Sequence, residues 1–302
     1  MHYSVLKNEV IDALNIKDDG VYVDATLGYA GDSKEILKRI KKGYLFAFDK
    51  DIEAINYSRK ELSKISNQFQ IIQADFAEIP KYLKDKKIDG FLFDLGVSSP
   101  QLDQDRGFSF MRDEKLDMRM DRDNPFDASI VVNSYSEKQL LDIFYKYGEE
   151  KKSSYIAKGI VEARREKKIE TTFQLCDIIK SSVGANYYYK THPERNIFQA
   201  IRIEVNHELQ SIENVLPELI PLLNKGGRIV VITFHSLEDR IVKSFFKKYS
   251  TVDRLLSGEK DIPEEYAPKL TIINKKPILP SEKELNENSR SKSAKLRIAE
   301  RR

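Results

Sequence analysis

The stretch Ile88–Asp103, IDGFLFDLGVSSPQLD, constrains this chain more than any other. Phe91-Leu92-Phe93 is a continuous apolar run, the pattern of a strand buried on both faces at the centre of a parallel sheet. The run ends on an acid, Asp94, and a glycine, two serines and a proline follow, so regular structure stops there. Ligands of open α/β sheets bind beyond the carboxyl ends of the strands. A polar loop headed by a carboxylate at that edge is therefore a candidate site, with a plain solvated turn as the competing reading.

The residues before it repeat one unit. Val21–Thr26 is a short apolar strand, Leu27–Gly31 a glycine-bearing turn, and Asp32 a helix cap with Glu35 in capping-box position. Ile36, Leu37 and Ile40 give that helix an apolar face. Tyr44–Phe48 is a second strand ending on Asp49, Ile52–Ile65 a helix, and Phe69–Ala74 a third strand ending on Asp75. Strand and helix alternating in this way predict an α/β chain with a doubly wound parallel sheet. The glycine turn alone is weak evidence, because it lacks the third glycine of the dinucleotide fingerprint. The row of acids Asp24, Asp49, Asp75 and Asp94 says more. Parallel strands place all of them along one edge, which repels a pyrophosphate and suits a ligand with a cationic centre and a ribose diol. S-adenosylmethionine is such a ligand, and Asp49 lies at the usual distance in sequence for a ribose-binding carboxylate. Acids that merely cap turns are the alternative.

Past Asp103 the sheet pattern stops. Arg106–Phe110 and Leu116–Met120 are loop-like; exposed they would suit stacking and phosphate contact, buried they are ordinary packing. Helical faces follow at Leu140, Leu141, Phe144 and Tyr147, at Ile156, Ile160 and Val161, and over Phe173–Ile179, where Cys176 reads as a core residue. Tyr187–Tyr189 reads as a loop. A long helix starts near Pro193 and keeps Ile197, Ile201, Val205, Leu209, Ile212 and Leu216 on one side, with Gln199, Arg202 and Asn206 as a polar stripe. The sheet resumes with Gly226-Gly227-Arg228 turning into Ile229–Phe234, then His235 and a helix over Leu237–Tyr249. Leu270–Ile273 and Lys276–Leu279 are predicted closing strands. Ser289–Arg302 reads as a basic tail, solvated or binding phosphate. The expected division is 1–103 with 207–302 as one domain and 104–206 as an inserted helical domain.

With 302 residues there is room for a large core. A net charge of +3 is too small to establish a nucleic-acid partner by itself. A single cysteine excludes an intramolecular disulfide and a cysteine metal cluster. Lacking an export signal or an eighteen-residue apolar stretch, the chain is expected to be cytoplasmic, with no membrane span and no metal.

The blocks DLGVSSPQLD (Asp94–Asp103), RGFSF (Arg106–Phe110), LDMRM (Leu116–Met120), FQAIRIEVNHEL (Phe198–Leu209), GGRIVVITFHSLEDRIVK (Gly226–Lys243) and RSKSAKLR (Arg290–Arg297) together carry a resemblance. Over essentially its full length the chain resembles the bacterial 16S ribosomal RNA cytosine-N4 methyltransferases of the MraW type. The resemblance implies a class I methyltransferase (Rossmann-like) sheet interrupted by a helical substrate-recognition insert. It implies S-adenosylmethionine as cofactor and 16S rRNA in the small ribosomal subunit as partner. It further implies methylation at the exocyclic N4 of cytosine 1402, in the decoding region. By motif, cofactor contacts fall on Ala30, Gly31, Asp32, Asp49, Phe76, Asp94 and Gln101, with Asp94 also catalytic. The family turn usually reads Gly-Gly-His where this chain has Ala30-Gly31-Asp32. A methyltransferase acting on a small molecule or protein, and a non-enzymatic RNA-binding factor with a vestigial site, are the competing functions. Binding of S-adenosylmethionine separates the last from the rest.

Overall fold

A computed structural model describes residues 4–252, 256 and 262–302. The chain divides into two compact units, Met1–Gly96 with Leu209–Arg302, and Val97–Glu208.

The first unit begins with α1 (Lys7–Leu14), then β1 (Val21–Asp24), α2 (Gly31–Arg39), β2 (Tyr44–Asp49), α3 (Ile52–Leu62), β3 (Phe69–Gln73), α4 (Ile79–Tyr82) and β4 (Ile88–Asp94). The second unit contains α5 (Ser99–Asp103), α6 (Ala128–Ser134), α7 (Glu137–Lys146), α8 (Ser153–Glu166), α9 (Thr172–Val183), α10 (Ala185–Thr191) and α11 (Pro193–Asn206). The chain then returns through α12 (Glu208–Leu219), β5 (Leu223–Thr233), α13 (Ser236–Ser250), β6 (Leu270–Ile272), α14 (Glu282–Glu287) and β7 (Lys295–Arg301).

The strands form one sheet in the order β3-β2-β1-β4-β5-β7-β6. The first five are parallel, and β7 runs antiparallel to both β5 and β6. This is the class I methyltransferase arrangement. Side chains of successive residues point to opposite faces, so each inner strand feeds two cores. Phe46, Phe48, Phe91, Phe93, Ile229 and Val231 pack on one face with Leu216, Leu219 and Phe246. Leu45, Ala47, Leu92, Val230 and Ile232 pack on the other with Leu14, Ile36, Leu37 and Leu62. Burial on both faces is why these strands read as unbroken apolar runs.

The insert has its own core, in which Phe108, Leu116 and Met118 join Leu140, Phe144, Ile156, Ile160, Leu175 and Ile201. Its loops are therefore packing elements. Arg106 is buried and donates to the carbonyls of Arg119 and Met120, at 2.7 and 3.1 Å. Asn206 accepts from the Met120 N–H and donates to the Met118 carbonyl, both at 2.8 Å. Gln199 donates to the Tyr147 carbonyl and Arg202 forms a two-point pair with Glu208, so the polar stripe of α11 ties the insert together instead of facing water.

Several expectations need correction. The long helix from Pro193 is two helices, broken where His207 takes a left-handed φ of 53°. Tyr187–Tyr189 lies inside α10. Lys276–Leu279 is not a strand; Ile278 makes a lone bridge to Leu296. The basic tail is largely β7: Leu296 and Ile298 are buried, and Arg297 pairs with Asp239 of α13 at 2.6 Å. Asp32 does not cap α2. The cap position is Ala30, in the left-handed region at φ 61°, and Asp32 sits inside the first turn.

Candidate active site at the carboxyl edge of the sheet

Three strands of the parallel half, β1, β2 and β4, each end on an acid, and the backbone fixes what each acid can do. Asp24 ends β1; its two oxygens accept from the Thr26 N–H at 3.1 Å and the Ser33 hydroxyl at 2.6 Å. Asp49 ends β2; its oxygens accept from the N–H groups of Gly28 at 2.7 Å and Asp51 at 2.8 Å. A carboxylate has about four lone-pair sites, so Asp49 is held in orientation and keeps acceptor capacity on both oxygens. Gly28 can approach because it adopts φ +47°, a conformation that L side chains rarely take. Asp94 ends β4. Its backbone N–H donates to the Thr26 hydroxyl at 2.7 Å, tying the ends of β1 and β4, while its Oδ1 is buried with no hydrogen-bond partner.

Asp75 does not belong with these three. It caps the short turn Phe76–Glu78, pairs with Lys50 at 2.9 Å and accepts from Ser211. The place it was expected to fill is taken by Asp32, only 6% exposed, whose Oδ1 is buried and unpartnered. Electrostatic contact confirms the grouping: the charges of Asp32 and Asp24 act on Asp94, and that of Asp24 acts on Asp32.

This cluster holds more carboxylates than it can ionise comfortably. Burial, with a small further push from Asp49, outweighs the hydrogen bonds from Ser33 and Thr26 and lifts Asp24 to about 6. Burial also lifts Asp49 to about 6, against the pull of its two backbone donors. Burial and Asp24 raise Asp32 to about 7. Asp94 is raised well above the ordinary carboxylate range by burial and by Asp32, Asp24 and Glu238. A cation placed among them would relieve all these shifts at once. A phosphate would aggravate them.

Phe76 stands edge-on to Phe93 at 5.5 Å, an apolar wall beyond β3. Ala30 and Gly31 form the turn into α2, where Gly31 has no Cβ because Ser4 occupies that space. The structure thus brings Asp32, Asp49 and Asp94 to one edge, joined by Asp24. Gln101 lies in the second unit, where its side chain accepts from the Ser98 N–H at 2.9 Å and closes a capping box on α5. His235 is also a cap: it accepts from the Glu238 N–H and faces Glu238 across 3.2 Å. Sequence reasoning missed Thr26 and Ser33. Their signal was their type, small hydroxyl residues two and nine positions past the strand-end acid Asp24.

The full chain, residues 1–302, matches the MraW methylase family. The chain belongs to that family. As a family member it is a methylase that takes S-adenosylmethionine as cofactor. The donor set fits that molecule: oriented acceptors on Asp49 suit a ribose diol, and the under-compensated acids suit a sulfonium. Among solved structures, it is similar to a Clostridium thermocellum protein described as an rRNA methylase, at 14% identity, 100% coverage of both chains and a TM-score of 0.48. It is also similar to an rRNA methylase from Streptococcus thermophilus, at 12% identity, 98% and 93% coverage and a TM-score of 0.40. A Streptococcus mutans protein, described as a methyltransferase in complex with SAH, is similar at 13% identity, 100% coverage of both chains and a TM-score of 0.45.

Proposed function

We propose that this MraW-family methylase transfers a methyl group to the exocyclic N4 of a cytidine in the decoding region of small-subunit ribosomal RNA, cytosine 1402 by its resemblance. The observation that carries the reading is the buried, unpartnered Oδ1 of Asp94 at the end of the central strand, beside Asp24 and Asp32. S-adenosylmethionine supplies a methyl carried on a positively charged sulfur. Asp49 orients the ribose, Phe76 offers an apolar wall to the base, and the turn Ala30-Gly31 presents backbone. Gln101 is the further contact inferred from the family motif.

Cytosine N4 is a poor nucleophile because its lone pair is delocalised into the ring. Asp94 accepts a hydrogen bond from the amine, draws the lone pair out of conjugation, and stabilises the positive charge that develops on nitrogen as the new C–N bond forms. One amine proton passes to solvent water as the methylated base regains neutrality. The ionised carboxylate is the stronger acceptor and the better partner for developing positive charge, so single-turnover rates should rise with pH until Asp94 is fully deprotonated. The base must be unpaired or turned out to reach the site.

The insert, 104–206, is the part we assign to RNA. Arg165, Lys167 and Lys168 are exposed at and beyond the end of α8. Tyr155 and Tyr189 are exposed too, with Lys152 and Lys180 each 4.7 Å from the respective ring. Charge reversal at Lys167 and Lys168 should weaken RNA binding and flatten its salt dependence. The activity itself is tested by mass mapping of small-subunit RNA from cells lacking the protein. Loss of one methyl from a decoding-region cytidine supports the reading; an unchanged methylation pattern overturns it.

A further inference from the structure

Asp32 stands where the related family usually has histidine, and this changes the charge of the site. Among the described residues, the groups that face it are few. Asp24 comes from β1, Glu35 from its own helix α2, Ser4 and Lys7 from the start of the chain, and Asp94 from β4. Ser4 hydrogen-bonds the carboxyl. Lys7 is the one cation among these neighbours, and it is engaged 3.1 Å away by Glu35. Oδ1 of Asp32 is left buried with no partner, on a residue 6% exposed. An acid so placed has two ways to lower its energy: hold a proton, or face a cation.

We propose that Asp32 is a specificity-determining residue that exchanges its proton for the positive charge of the methyl donor, so that the site binds S-adenosylmethionine with release of a proton and favours it over the uncharged-sulfur product S-adenosylhomocysteine. The inference rests on the donor site described above. Donor and product share the adenosine, the ammonium and the carboxylate, and differ by the methyl and its charge. Any group that reads only that difference separates a fresh donor from a spent one. Histidine at this position would be neutral or cationic and could offer the sulfonium no negative charge.

The sign follows from linkage. In the free protein Asp32 lies up at about 7, so near neutral pH about half the molecules carry its proton. A cation nearby lowers that value and the proton leaves. Donor affinity therefore climbs as pH rises through this range and levels off above it. Product affinity lacks the portion contributed by Asp32.

Calorimetric titration in two buffers of different ionisation enthalpy counts the protons directly. Wild-type protein titrated with S-adenosylmethionine near neutral pH should release more protons than with S-adenosylhomocysteine. Asp32→Asn, which keeps shape and removes charge, should reduce the donor's proton count by about half a proton. It should also shrink the donor-over-product preference on the order of tenfold. Should Asp32→Asn fail to fold, Asp32→Ser serves the same comparison. A variant that keeps either the wild-type proton count or the wild-type preference overturns the role of Asp32. Wild-type protein that binds neither ligand overturns the donor site itself.

Discussion

The sheet edge and the insert treat buried charge in opposite ways. In the insert, buried charge is mostly matched, Oε2 of Glu194 being an exception among the described residues. Glu114 accepts from the Gly107 N–H and meets Arg112 at 3.0 Å. Glu150 accepts from Tyr187, Asn196 and the Lys152 N–H. Arg106 is spent on two carbonyls. At the sheet edge, Asp24, Asp32, Asp49 and Asp94 are all raised because burial and like charge outweigh their hydrogen bonds and the partial offset from Lys7 and Lys50. Matched buried groups hold a fold together, since removing one partner strands the other. A mismatch that the fold sustains is stored for a ligand, and perturbed acids gather where chemistry is done.

The sharpest way to break this contrast is at Asp94. Asp94→Ala should lower single-turnover methylation, at saturating cofactor and RNA, on the order of a hundredfold or more. Asp94→Asn keeps an acceptor oxygen and should retain part of the rate. A near-wild-type rate for Asp94→Ala would move the role to a backbone carbonyl.

The matched side is tested by Arg106→Met, which leaves the carbonyls of Arg119 and Met120 buried without their donor. Denaturant unfolding should show a loss of about 3 kcal/mol. Cofactor affinity of the folded protein should stay within about twofold, because Arg106 serves the insert.

A smaller effect distinguishes the two kinds of acid by pH. The folded-state value of Asp32 is raised, so its native form holds a proton that the unfolded chain has already lost. Its contribution is favourable at low pH and is lost as pH rises through about 7. Asp32→Asn should therefore melt a few degrees above wild type near pH 8 and by a clearly smaller margin near pH 5, by calorimetry without ligand. Equal melting differences at both values would show that the carboxyl is not desolvated.

The smallest effect belongs to Ala30, a non-glycine residue at φ 61°. Ala30→Gly should relieve about 1 kcal/mol of left-handed strain, partly offset by the greater freedom of glycine when unfolded. Thermal unfolding checks the net gain, and a loss of stability would mean that the methyl group packs productively.

How much of this could be read in the sequence follows from what each signal depends on. Strand runs such as Phe91-Leu92-Phe93 are apolar because both faces are covered, so the sheet and its acid-tipped edge were visible. Lys295–Arg301 hid as a basic tail, because Leu296 and Ile298 alternate with charges whose partner, Asp239, lies far away in sequence. The break at His207 carries no glycine or proline, so a left-handed φ there is set by tertiary packing that a helical period cannot reveal. Asp32 looked like a cap because residue type and spacing were right; the backbone turns one residue earlier, at Ala30, and that shift buries the acid. The unequal fates of Asp75 and Asp32 depend on Lys50 and Ser211, contacts that no local pattern encodes.

The contrast between stored and matched charge is tested most directly at Asp49, the acid whose two oxygens are already oriented by the Gly28 and Asp51 N–H groups. Calorimetric titration of S-adenosylmethionine into wild-type protein and Asp49→Ala, side by side, measures it. The expected result is tight binding to wild type and a loss of about 2 kcal/mol in the variant, roughly thirtyfold in affinity, with the variant still folded. Equal affinity in the two proteins would contradict it, because the acid edge of the sheet would then not be where the cofactor ribose is held.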